Sequence, residues 1–297
     1  NMKRKYSITS ITILLLNIGL FLYGQKTISL ESLMKEMVDR SELARFPSPS
    51  FTCKQRSSTD KRTISKDKPN WFGNQDCTNF IRVDSSIIGK EYVLLDEKGP
   101  GAIVRFWSTF AGTDSGEGIL RFYFDGSRSP SIVGNARQIL SGDQLVGRPL
   151  AMGLSVLSNP KQWGLDFYLP LPYQSGCKIT YQSDKVSLDD PNGLLSGHES
   201  VFYNINFRSY ERGTKVISYS ANELKKNHRL ITHTLQLLSS GNKIVEQKKL
   251  NMSVSDMTIA PDSSKTIVIK GSRAIKYFTV MLNAKHTEQA LRSTVLE

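Results

Sequence analysis

Apolar and polar positions change their period near residue 50. Between Leu30 and Arg45, the apolar residues Leu30, Leu33, Met34, Met37, Val38 and Leu43 recur at helical spacing with charges between them. That spacing predicts an amphipathic helix with Ser29 as its N-cap. Phe46-Pro47-Ser48-Pro49 closes it, because proline cannot continue the hydrogen-bond ladder. From there the pattern is one of short runs rich in Val, Ile, Thr, Tyr and Phe, bounded by Gly, Pro, Asn or Asp. They are Tyr92–Asp96, Ile103–Phe110, Ile119–Asp125, Cys177–Gln182, Phe202–Phe207 and Thr214–Ser220. Gly99-Pro100-Gly101 reads as a tight turn between two strands, and Leu120–Gly126 alternates faces before an Asp-Gly turn. Many short strands with long loops between them predict an all-β chain, a jelly-roll sandwich.

After Ser220 the pattern pauses and a second β series is expected: Leu230–Leu238, Lys243–Val254, Lys265–Ile269 and Ile275–Leu282, with Gly241-Asn242 as a hairpin turn. Thr287–Leu291 reads as one short helical turn, and Arg292–Glu297 as the start of another strand. The organisation expected is a leader over 1–24, the helix and linker over 25–52, a first jelly-roll lobe over 53–222, and the truncated start of a second over 223–297.

The N-terminal stretch changes the picture in one respect. Lys3, Arg4 and Lys5 precede an apolar run from Ile11 to Tyr23, and the small Gly24 stands before Gln25. Charged region, short apolar region and small residue together predict a secretory signal peptide, hence a secreted or periplasmic protein. The run is shorter than the roughly 20 residues a bilayer span needs, so no stable membrane anchor is expected. The chain carries 39 Lys and Arg against 27 Asp and Glu. These basic residues are scattered and form no basic helix or aromatic-basic motif, which argues against nucleic acid as a partner. Of three cysteines, Cys53 and Cys77 lie in a polar stretch and are free to pair after secretion, while Cys177 sits in apolar context as a small core residue. There is no CxxC, HxH, HExxH, GxSxG, Walker A or GxGxxG, so neither a metal nor a cofactor is expected.

What remains is polar and aromatic clusters on a β scaffold. Asn74-Gln75-Asp76-Cys77-Thr78-Asn79-Phe80 concentrates amides and a carboxylate, Arg105 and Trp107 share one strand face, and Trp71, Trp163 and Tyr168 lie near glycines. Sugars are bound by such sets, with aromatic faces stacking on C–H surfaces while Asp, Asn and Arg take the hydroxyls. Asp76, Asn79, Arg105 and Trp107 are therefore the candidate substrate-binding residues. They are expected at one mouth of the first lobe, brought together if the strand ending near Val83 pairs with that of Arg105 and Trp107. Structural roles compete: Trp107 as a core residue, Asp76 as a turn residue, or a buried Asp76–Arg105 ion pair.

Several segments in order resemble glycoside hydrolase family 172, also known as domain-of-unknown-function family 2961. Ser57-Ser58-Thr59-Asp60-Lys61 is similar to its Ser-Ser-Tyr-Asp-Arg, and Gly73–Phe80 to its Gly-Asn-x-Asp-Phe-x-Asn-Phe. Gly99–Trp107, Leu120–Gly126, Tyr168–Tyr173, Cys177–Thr180 and Tyr203–Arg208 complete the set, which covers about residues 50–220. Thr59 and Lys61 depart from the pattern, and Lys61 replaces a forked donor by a point charge. The resemblance implies tandem jelly rolls, trimer-based homo-oligomers, and action on furanose-containing oligo- or polysaccharides, as α-D-arabinofuranosides or α-D-fructofuranosides. It also implies retaining chemistry by two carboxylates, expected beyond Glu297. The alternatives are a non-catalytic carbohydrate-binding jelly-roll module and a structural subunit.

Overall fold

The computed structural model describes residues 26–39, 45–69, 71–87, 89–112, 114–142, 144–154, 164–189, 197–240, 257–271, 275 and 278–295. The expected leader, Trp163, the Gly241-Asn242 turn and the whole of the expected Lys243–Val254 strand lie outside them. The chain divides into two units, one of Asn1–Val38 with Pro47–Lys243 and one of Asp39–Phe46 with Ile244–Glu297.

The first unit is a sandwich of two antiparallel sheets. The first sheet runs in the order β1 (Phe51–Ser57), β11 (Ser200–Tyr210), β4 (Gly101–Ala111), β8 (Gly164–Phe167) and β7 (Ala151–Leu154), with β9 (Leu171–Tyr173) also beside β4. The second runs β2 (Arg82–Ser86), β3 (Gly89–Lys98), β10 (Gly176–Gln182), β5 (Ile119–Phe124) and β6 (Ile132–Asn135). Period-two alternation, interrupted on β3 where Leu94 is an extra residue opposite β10, decides which side chains face inward. From the first sheet come Ile103, Phe106, Phe110, Val201, Tyr203, Ile205 and Phe207, and from the second Leu94, Leu95, Leu120, Phe122, Phe124, Ile179 and Tyr181. Across the gap Phe106 meets Phe122 edge-on at 6.2 Å between ring centroids, and Phe110 meets Tyr181 at 5.5 Å. These two contacts pin the sheets face to face.

One irregularity matters for function. On β4 Arg105 stands opposite Asn206, but Ile103 stands opposite Phe207, so Val104 is an extra residue. The bulge resets the alternation, turning Arg105 and Trp107 outward while keeping both Ile103 and Phe106 in the core. A short helix α1 (Leu30–Val38) supplies Leu33 to a small cluster with Ile28, Ala102, Tyr210 and Val216. A second helix, α2 (Ala136–Ser141), is capped by Asn135, whose side chain accepts from Gln138 N, and ends at Gly142 in the left-handed region at φ 103°. A Cβ there would also lie 2.7 Å from Ala151 O.

Several expectations fail. Leu230–Leu238, expected as a strand, is part of a helix; α3 (Ala221–Lys226) and α4 (His228–Ser239) follow the sandwich. Ile231 and Thr234 are its buried positions, with Leu230, Leu235 and Leu238 packed on the core, a helical spacing. Thr214–Ser220 makes one isolated bridge, Ile28 to Val216, and no ladder. The Gln174 side chain occupies its backbone instead, accepting from Val216 N at 2.7 Å and donating to Thr214 O at 3.1 Å. Cys53, Cys77 and Cys177 form no disulfide among the described residues, and the possible Cys53–Cys77 bond is not made. Cys53 stands opposite Arg208, whereas Cys77 adjoins Thr78, which bonds Val201 O. Seven residue steps along β11 separate those positions, roughly 20 Å and far too long for a disulfide. Cys177 is buried in the core.

In the second unit, the described parts of Lys265–Ile269 and Ile275–Leu282 form no strand, and Ile267, Val268, Phe278 and Met281 are exposed. No described segment pairs with them, and an unpaired strand has no ladder to hold it. Helix α5 (Thr287–Ser293) includes Arg292 and Ser293, which were expected to open a strand.

Candidate functional site

The segment from Ser58 to Phe80 leaves β1 and returns beside β11. Ser58 N donates to Tyr203 O at 3.0 Å, and Thr78 N to Val201 O at 2.9 Å. Asp60 is its hub, only 4% exposed. Arg62 grips the carboxylate from its own backbone N at 3.0 Å, from Nε at 3.0 and 3.1 Å and from Nη2 at 2.5 Å. Gln75 N adds a bond to Oδ2 at 3.2 Å. The guanidinium first, then these backbone donors, hold the Asp60 carboxyl well below the usual carboxylate range against the opposing effect of burial. The forked donor is thus Arg62, while neighbouring Lys61 reaches Phe80 O at 3.5 Å.

Asp76 and Asn79 serve the same loop. Asp76 Oδ1 accepts from Asp60 N at 2.7 Å, and Asn79 Nδ2 donates to Ser58 O at 2.8 Å and Gln75 O at 2.7 Å. Both protons of the Asn79 amide are therefore spent on main-chain carbonyls.

The second group lies on the outward face of the first sheet. Arg105 Nη2 stands 3.0 Å from Asp166 Oδ1, with Nε 3.4 Å from the Tyr168 hydroxyl and Nη1 3.4 Å from Asn206 Oδ1. Its guanidinium also lies 6.0 Å from the Tyr168 ring centre. Trp107 sits directly between Asn204 on β11 and Asp166 on β8 in the strand register. The indole passes over Gly164, where a Cβ would come within 3.2 Å of Nε1. Asn204 Oδ1 and Asp166 Oδ1 are buried and make no hydrogen bond; the Arg105–Asp166 contact is an ion pair without hydrogen-bond alignment.

Sequence-predicted residues therefore fall into two groups separated by β11. Arg105 and Trp107 share a face as expected; Asp76 and Asn79 do not join them in any described contact. The strand after Asp76, β2, pairs with β3 in the other sheet, which removes the route that was to unite them. The alternative Asp76–Arg105 pair is also absent, because Asp166 takes the guanidinium and Asp76 takes the Asp60 amide.

A family model described as the GH172 first beta-sandwich domain matches residues 49–227. The chain belongs to the GH172 glycoside hydrolase family. No curated protein matches it. The match contains every strand of the sandwich and α3.

Within this GH172 sandwich, the half-buried Trp107 indole is flanked by two buried acceptors, with a cation one pleat away. This row carries one carboxylate, Asp166, already engaged by Arg105. Of the other buried carboxylates, Asp60 organises its loop, while Glu91 and Glu199 tie neighbouring elements of the sandwich together. Glu91 accepts from Tyr123 at 3.0 Å and Thr180 at 2.5 Å, and Glu199 from Tyr181 at 2.9 Å and from Gly116 N. Sequence reasoning missed Asp166, Asn204 and Asn206. Their signal was alternation: Leu165-Asp166-Phe167 and Tyr203–Phe207 place polar residues outward between core residues.

Proposed function

We propose that this chain is part of a secreted glycoside hydrolase acting on furanosides, of the α-D-arabinofuranoside or α-D-fructofuranoside class, and that its sandwich supplies a binding face. The observation that carries the reading is the Trp107 row, with an indole between two acceptors and the Arg105 guanidinium beside it, on a domain of a glycoside hydrolase family. An indole offers a furanose its apolar face, and Arg105, Asn204 and Asp166 offer partners to its hydroxyls. On this reading the sandwich is the first of two jelly rolls in a trimer-based assembly, exported by the leader over 1–24. The retaining reaction needs one carboxylate to attack the anomeric carbon and a second to protonate the leaving oxygen. Asp166 is held by Arg105, so that pair comes from outside the row, and the row orients the sugar.

The test is release of a phenol from aryl α-D-arabinofuranoside and α-D-fructofuranoside by the full gene product. Turnover on either, with Trp107→Ala lowering kcat/KM at least about tenfold through lost stacking, is expected. The single carboxylate of the row favours a second reading, a non-catalytic carbohydrate-binding module. Furanoside binding without turnover on either substrate establishes that one instead.

A further inference from the structure

Two buried side-chain acceptors without an aligned hydrogen bond flank one residue: Asn204 Oδ1, and Asp166 Oδ1, whose ion-pair partner is Arg105 Nη2 at 3.0 Å. Register places Asn204 opposite Trp107 on one side and Asp166 opposite it on the other, so all three side chains emerge on the same outward face. Buried acceptors are nearly always satisfied in folded proteins, and an unsatisfied one is costly to keep. Two of them bracketing a half-buried indole therefore ask for a donor-rich group above Trp107. We infer that Asn204 and Asp166 are sugar-contact residues, each accepting from a ligand hydroxyl on its own side of the Trp107 ring.

Strand spacing fits the inference. Adjacent strands lie about 4.8 Å apart, so the two flanking positions are roughly 10 Å apart. That span is wide enough for one sugar ring to lie over the indole with a hydroxyl reaching toward each side. Arg105 contributes differently: its Nη2 lies 3.0 Å from that same Asp166 Oδ1, an ion pair that steadies the carboxylate and leaves a lone pair of the oxygen able to accept. Gly164 keeps the floor beneath the indole open to it. The inference rests on the carbohydrate reading above and adds which atoms the sugar meets.

The experiment is calorimetric titration of the full chain with methyl α-D-arabinofuranoside, methyl α-D-fructofuranoside and, as pyranose controls, methyl α-D-glucopyranoside and methyl α-D-galactopyranoside. Wild type, Asn204→Leu and Asn204→Asp are compared, with the melting temperature of each. Asn204→Leu is expected to weaken furanoside binding at least about tenfold while melting no lower than wild type, because it removes an unsatisfied acceptor. Asn204→Asp, which keeps an acceptor, is expected to retain binding. Pyranoside binding alone, lost in Asn204→Leu, supports the row and overturns the furanoside reading. Furanoside binding undiminished in Asn204→Leu overturns the row and leaves that reading standing. A wild-type chain that binds none of the four glycosides overturns both.

Discussion

Gly73→Ala tests whether the Asp60 hub is the structural centre of the loop that carries Asp76 and Asn79. A Cβ at Gly73 would lie 2.4 Å from Asp60 Oδ2 and 2.5 Å from Cγ, where ordinary contact begins near 3.4 Å. The carboxylate must retreat by about 1 Å, which takes Oδ2 out of reach of Gln75 N, now 3.2 Å away. Overpacking of this kind costs about 1–3 kcal/mol. For a domain of this size that lowers the melting temperature by roughly 2–12 °C. Thermal unfolding followed by circular dichroism at pH 7 measures it directly. The pH dependence supplies a second check. Asp60 has its folded pKa depressed, so its contribution is fully present above the unfolded carboxylate range near 4 and is lost as pH falls toward the lower folded value. The gap between wild type and Gly73→Ala should therefore narrow below about pH 4. A variant melting within a degree of wild type at pH 7, or a gap unchanged down to pH 3, refutes the reasoning.

Gly164→Ala has no left-handed backbone to strain, and its Cβ would press Trp107 Nε1 at 3.2 Å. Its melting temperature should stay close to wild type while furanoside affinity falls, and a variant with normal affinity shows that the indole's seat is irrelevant to binding. Tyr123 is pushed up to about 12, first by burial and then by its bond to Glu91. Its raised pKa contributes stability that is whole below pH of about 10 and fades as pH rises from there to about 12. The phenolate absorbance difference between wild type and Tyr123→Phe should accordingly appear near pH 12; one that appears near the usual tyrosine value contradicts the assignment. Ser220→Ala removes the oxygen that accepts from Glu223 N at 3.1 Å. It should cost about 0.5–2 kcal/mol in denaturant unfolding, and no change would show that the α3 cap is idle.

What could be read from the chain before any coordinates follows from locality. The alternation of Ile103–Phe110 and Leu120–Phe124 announces strands because one face of each is core. β1 was invisible, since Phe51–Ser57 is mostly polar and stays exposed along its middle, as an edge strand can. The helix after Ser220 has a local signal, the Ser220-Ala221-Asn222-Glu223 capping pattern, but the dense run of apolar residues and threonines over Leu230–Leu238 reads as a strand in isolation. The site divides the same way. That Arg105 and Trp107 share a face is a statement about period two, which survives the bulge at Val104. That Arg105 meets Asp166 rather than Asp76 depends on which strand lies beside β4, and no nearby residue encodes it. Unsatisfied atoms such as Asn204 Oδ1 are a property of three-dimensional packing alone.

The central claim is that a furanose settles over Trp107 rather than over the loop of Asp76. The most direct measurement is the indole N–H spectrum of nitrogen-labelled protein titrated with methyl α-D-arabinofuranoside and methyl α-D-fructofuranoside, with the Trp107 and Trp71 signals assigned by Trp→Phe substitution. Trp71 stands exposed beside Phe72 on the loop, at 5.6 Å between ring centroids, and serves as the internal reference. The account predicts a saturable shift of the Trp107 signal with one of the two sugars and none at Trp71. A saturable shift at Trp71 with Trp107 unmoved would contradict it.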